Sequence, residues 1–101
     1  MKRHFRDYRE KQIEDLKDQE LANHYLNEAL SDDDPQAFLL ALKNVHEAQG
    51  GQMADLARKT NMSRENLYRI LSKRGNPKLS SIITLLNAVG FSFSIRPYNK
   101  K

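Results

Sequence analysis

The sequence predicts an all-α fold with a helical amino-terminal extension and one short carboxy-terminal β-strand. Three observations carry that expectation. Apolar residues recur at helical spacing in successive stretches up to residue 89, and capping residues or glycines separate those stretches. Only residues 91–96 alternate strictly between apolar and polar, the period of a strand. At 101 residues the chain fits one domain with one core, and its 39% hydrophobic and 30% charged residues describe a globular rather than a disordered chain.

The first 17 residues hold only Phe5, Tyr8, Ile13 and Leu16 as spaced apolar positions, a weak helix that needs a partner to hold it. Asp18 can cap a second helix in which Leu21, Ala22, Tyr25, Leu26, Ala29 and Leu30 share one face. The run Ser31-Asp32-Asp33-Asp34 breaks it. Asp34 and Pro35 then supply an N-cap and a proline at the first helical position, followed by the stripe Phe38, Leu39, Leu42 and Val45, until Gly50-Gly51 stops the helix. A short helix over 52–60 should bury Met53, Leu56 and Ala57, and Asn61, which tolerates left-handed backbone, should turn the chain. Ser63 caps the next helix, anchored by Leu67, Ile70 and Leu71, and Gly75-Asn76-Pro77 ends it. From about 79 to 89, Ile82, Ile83, Leu85, Leu86 and Val89 make the most apolar helix, with Gly90 as terminator. The strand at 91–96 has no partner strand in the chain, which predicts either a dimer, with Phe91, Phe93 and Ile95 as its contacts, or a strand contributed to another protein; the plainer alternative is a tail that tucks along its own helices.

The formal charge of +4 conceals an asymmetry. Residues 1–35 hold 6 Lys/Arg against 10 Asp/Glu, a net −4, whereas residues 36–101 hold 11 against 3, a net +8. The second part is the one that would meet polyanions. No apolar run approaches the ~20 residues a membrane-spanning helix requires, and a cytoplasmic protein with no membrane partner is expected. Without cysteine there is no disulfide, thiolate nucleophile or zinc finger, and three scattered histidines leave little for a metal. No serine stands near a plausible histidine and acid, so neither an enzyme nor a cofactor is expected. Sharper-looking motifs have plainer readings. Gly50-Gly51-Gln52 copies a release-factor tripeptide but sits where a helix ends; Asp32-Asp33-Asp34 lacks the ligands and glycine of a calcium loop; Glu20, His24 and Glu28 read as a solvated helix face.

The informative stretch is MADLARKTNMSRENLYRIL, residues 53–71. It resembles a helix-turn-helix of the phage-repressor type: small Ala57 allows close helix approach, Asn61 stands at the turn, and Ser63 opens a recognition helix whose outward positions are cationic or hydrogen-bonding. A longer run, with the YLNEAL segment, the DPQAF helix start, SRENLYR and the GNPKLS turn, is similar to the addiction-module antidote proteins, the HigA-like antitoxins, over about residues 7–95. Asn61 in place of the usual glycine and an added Gln52 after the Gly-Gly pair are the departures. That resemblance implies a lambda-repressor-like DNA-binding domain at 36–90, between an acidic helical extension at 1–35 and a strand and tail at 91–101. It further implies the antitoxin of a type II toxin-antitoxin module, which neutralises a small RelE/HigB-like toxin and autorepresses its operon.

In such a motif the residues just after the N-cap reach base edges, which assigns Arg64, Glu65, Tyr68 and Arg69 to the major groove. Ser63, Asn66, Lys73, Arg74, Asn76 and Lys78 are better placed for phosphates. For Glu65 the plainer alternative is an ion pair with Arg69 one turn on. A toxin that binds RNA must be basic, and residues 10–35 carry 9 acidic and 2 basic residues. Ile13, Leu16, Leu21, Tyr25 and Leu26 are therefore the expected toxin-binding positions, unless these helices merely pack on the repressor domain. Two other functions compete: a phage-type regulator without a toxin, and a protein-interaction adaptor that never touches DNA.

Overall fold

Capping chemistry sets most of the helix boundaries. The computed structural model describes residues 3–72 and 76–98, with residues 3–7 described through the backbone alone. Helix α1 (Arg3–Leu16) leads to Asp18, whose carboxylate accepts from the backbone N–H groups of Glu20 at 2.9 Å and Leu21 at 3.2 Å to start α2 (Gln19–Leu30). The acidic run folds on itself, Asp32 accepting from the Asp34 N–H at 3.0 Å. Asp34 in turn accepts from the Gln36 N–H at 3.0 Å and starts α3 (Pro35–Ala48) with proline in its first turn. Helices α4 (Met53–Thr60), α5 (Arg64–Ile70) and α6 (Leu79–Val89) complete the order.

The hub is α3. Phe38, Leu39, Ala41, Leu42, Val45, His46 and Ala48 are all buried, too many for a single stripe, so the helix needs neighbours on more than one side. It carries α1 and α2 and also packs against α6, which carries α4; α5 packs on α4. Leu39, Val45, Leu67 and Leu85 are the largest fully buried side chains and join α3, α5 and α6 in one core. Leu16, Ala22 and Leu26 of the first two helices belong to that same core. Each fully buried leucine stabilises by roughly 1.5–3 kcal/mol. No helix among the described residues is long and apolar enough to cross a membrane.

Two glycines act differently at the end of α3. Gly50 has φ 86, a left-handed position with open space where a side chain would stand, whereas Gly51 lies so close to the buried His46 ring that any Cβ would overlap it. His46 meets the Gln52 carbonyl at 3.0 Å through Nε2, tying α3 to the start of α4.

The carboxy-terminal strand is a correction. Residues 91–98 form no strand, and the described residues are otherwise helical or irregular. A ladder requires a second edge, and within one chain the segment finds none. It leaves the body step by step. Phe91 is half-buried, with its N–H donating to the Leu86 carbonyl at 3.0 Å; Phe93 leans on Phe38 with ring centroids 6.0 Å apart; Ile95 is 97% exposed. Three expected core positions are also corrected: Leu21, Leu30 and Ile83 are exposed, because Ala22 and Leu26 in α2 and Leu85, Leu86 and Val89 in α6 take the inward faces.

Candidate nucleic-acid interface

The turn between α4 and α5 is built by local backbone chemistry. The Gln52 N–H donates to the Asp55 carboxylate at 3.0 Å, closing the first turn of α4, and Asp55 also holds Arg58 at 3.3 Å. That N–H, and then the Arg58 guanidinium, hold the Asp55 carboxyl below its ordinary value. At the other end Asn61 takes φ 60, ψ 34, and the N–H of Met62 reaches back to the Ala57 carbonyl at 3.1 Å. Buried Thr60 satisfies its hydroxyl on the Leu56 carbonyl at 2.7 Å. Ser63 then accepts from the Asn66 N–H at 3.0 Å and starts α5.

Helix α5 has a clear division of faces. Leu67 at 0% and Ile70 at 6% exposure anchor it in the core, while Arg64, Glu65, Tyr68 and Arg69 are all exposed. Arg69 donates to the Asn66 side-chain oxygen, and among the described residues Glu65 makes no ion pair. The alternative of a Glu65–Arg69 salt bridge is therefore not formed, because Arg69 turns one residue short of it.

A polar cleft of about 480 Å³ lies between α5 and the start of α6, lined by Asn66, Arg69, Asn76, Lys78 and Ser81 among others. It brings four of the expected nucleic-acid contacts to one place and adds Ser81, which the sequence reading missed. Lys78 stands at the N-cap of α6, exposed, with Asn76 exposed two residues before it. Lys73 and Arg74 lie outside the described residues. Lys59 was also missed. It is exposed in the last turn of α4 and makes no ion pair among the described residues, whereas its neighbour Arg58 is held by Asp55. The legible signal was its place in the ARKT segment, a cation where a helix ends against the turn.

The expected toxin contacts separate by depth. Leu16 and Leu26 are each 4% exposed in the core, Ile13 and Tyr25 pack partly against it, and Leu21 is 47% exposed. The Tyr25 hydroxyl accepts from the Asn44 side chain at 2.9 Å, fastening α2 to α3. On the outer side, Tyr8, Leu16, Leu21 and Tyr25 share a groove of about 350 Å³ with Asp15 and Glu28. His24 lies 3.3 Å from Glu28 on this exposed face.

A family model described as a probable addiction module antidote protein matches residues 9–97. An uncharacterized protein of Haemophilus influenzae is 34% identical, the aligned part covering 82% of this chain and 93% of that protein. No solved structure matches the chain. Covered by that family description across nearly all its helices, the chain belongs to the probable addiction module antidote proteins, the antitoxin side of a toxin-antitoxin pair.

Proposed function

We propose that this antitoxin is a cytoplasmic, DNA-binding repressor of its own operon that acts as a homodimer and neutralises a small basic RelE/HigB-like toxin. The observation that supports the DNA reading best is α5 itself. Its two apolar anchors are buried, and Arg64, Glu65, Tyr68 and Arg69 stand exposed on its outer side, where a major groove could receive them. Arg64 and Arg69 read guanine edges, Glu65 accepts from cytosine, and Tyr68 contacts a base or sugar beside them. Ser63, Asn66, Asn76, Lys78, Lys73 and Arg74 hold phosphates, joined by Lys59 and Ser81. Two copies would place two such helices on half-sites about 34 Å apart.

Toxin neutralisation is assigned to the acidic outer face of α1 and α2. Leu21 and the accessible edge of Tyr25 supply its apolar centre; Ile13, Leu16 and Leu26 support that face from beneath. Asp15 and Glu28 supply its acidic rim, and a basic partner would take the place of the contacts they now make, Lys11 on Asp15 at 3.3 Å and His24 on Glu28 at 3.3 Å.

The test is binding of the full chain to the duplex that precedes its own reading frame, followed by fluorescence anisotropy over a range of salt. Arg64→Ala and Arg69→Ala should each cost about 1–3 kcal/mol and relax sequence preference, and Lys78→Ala should weaken all duplexes alike and lower the salt slope by about one. Operator affinity unchanged in both arginine variants would sink the assignment. Binding without salt dependence, or none, favours the protein-interaction adaptor. Co-purification with the product of the neighbouring reading frame separates the antitoxin from a regulator that has no toxin.

A further inference from the structure

We infer that the apolar groove bounded by the α2–α3 turn, α6 and the carboxy-terminal tail seats the tail of a second copy of this chain, reciprocally, across a two-fold axis. The inference rests on the homodimer reading and deepens it by naming the surface. The groove measures about 670 Å³, within the roughly 300–1,000 Å³ of sites that enclose a drug-sized ligand. Leu30, Pro35, Leu79, Ile83, Phe93 and Ile95 line it, and five of these, all but Pro35, are exposed large apolar residues of the described chain. An apolar patch of that kind marks a contact surface.

What fills it is indicated by the tail. Among the described residues, 92–98 make no backbone hydrogen bond, so a whole edge of donors and acceptors is open. Phe93 is already committed to Phe38 of its own copy, whereas Ile95 at 97% and Tyr98 at 87% exposure have no apolar neighbour sufficient to cover them. The segment with unpaired backbone groups is the segment with unburied apolar side chains, and it lines the groove itself. Antiparallel pairing of two tails satisfies the open edge and carries Ile95 of each copy over Leu79 and Ile83 of the other. Pro97, which has no N–H, limits such a ladder to the residues before it.

Charge agrees with a second copy as occupant. The tail carries Arg96 and is followed in sequence by Lys100 and Lys101, and the groove opens beside Asp32, with Asp33 and Asp34 exposed next to it. One surface thus supplies both the basic tail and the acidic, apolar seat, the self-complementarity a two-fold interface demands. No residue of α5 lines the groove, which leaves the recognition helices free when it is filled.

Sedimentation equilibrium of the full chain tests this, with Ile95→Asp in the tail, Ile83→Asp in the groove and Leu40→Asp as an exposed apolar position outside it. The wild type should sediment as two copies. Each of the first two variants should raise the dimer dissociation constant by at least about 30-fold with thermal melting of the monomer retained, and Leu40→Asp should leave it unchanged. A dimer indifferent to both Ile95→Asp and Ile83→Asp overturns the groove but leaves the homodimer reading standing. A wild type that stays monomeric overturns both. A monomer in which Ile95 becomes protected only when the neighbouring gene product is added assigns the groove to that protein and overturns the second copy.

Discussion

At the scale of single residues, Asp55 and Gly51 do work disproportionate to their size. The Asp55 carboxyl is held below its ordinary 3.8 chiefly by the Gln52 N–H, with Arg58 adding to it. A group whose folded value is depressed stabilises fully above its unfolded value, and that contribution is lost as pH falls through the folded one. Urea unfolding between pH ~6 and ~2.5 should therefore show an acid-side loss of stability that Asp55→Asn removes in part. Gly51 and Gly50 make a matched pair. Gly51→Ala must move the His46 ring and should cost about 1–3 kcal/mol by overpacking. Gly50→Ala meets open space and should cost about 1 kcal/mol through its left-handed backbone alone, a difference read from denaturant midpoints. The plainer alternative for Glu65, an ion pair with Arg69, is not formed, because Arg69 donates to Asn66 instead. Spacing along a helix permits both pairs, and only the side-chain torsions choose.

At the scale of elements, the boundaries were legible because caps are local. Asp18, Asp34 and Ser63 accept the very N–H groups that an N-cap must satisfy, Asn61 takes the left-handed position expected of it, and Gly90 ends α6 as its terminator, also with positive φ. Facing was less legible. Ile83 looks like core in a helix so apolar, yet the inward stripe of α6 runs through Leu85, Leu86 and Val89, leaving Ile83 outside. The strand failed for a related reason: alternation describes side chains, but a ladder depends on a partner edge that no local pattern contains. Of the candidate interface, the exposed residues of α5 were readable from the serine cap and the two anchors, and Lys59 from its place at the end of α4, whereas Ser81 became visible only when α5 and α6 were assembled around one cleft. Asn61→Gly should keep the turn and hold or slightly raise stability, while Asn61→Val should lower it by about 1–2 kcal/mol and weaken DNA binding by misaiming α5. Thermal melts and anisotropy on the same samples check both.

At the scale of the whole molecule, α1 and α2 share one core with the helices that follow them. Removing residues 1–33 to test toxin binding would strip α1 and α2 from α3 and with them Leu16, Ala22 and Leu26. Two buried leucines at roughly 1.5–3 kcal/mol each are a large share of a typical 5–15 kcal/mol stability. The fragment 34–101 should therefore melt early and without a sharp transition by circular dichroism, and exposed-face variants such as Leu21→Asp are the cleaner probe of the partner surface. The central place of α3 also sets how the molecule exchanges protons with solvent. Its backbone amides are covered by α1, α2 and α6 together, so they should open only when all three let go and should report the global unfolding free energy. Residues 92–98, with no internal backbone bond, should exchange at nearly the rate of a free peptide when the chain is alone and slow down only when another chain lies along them.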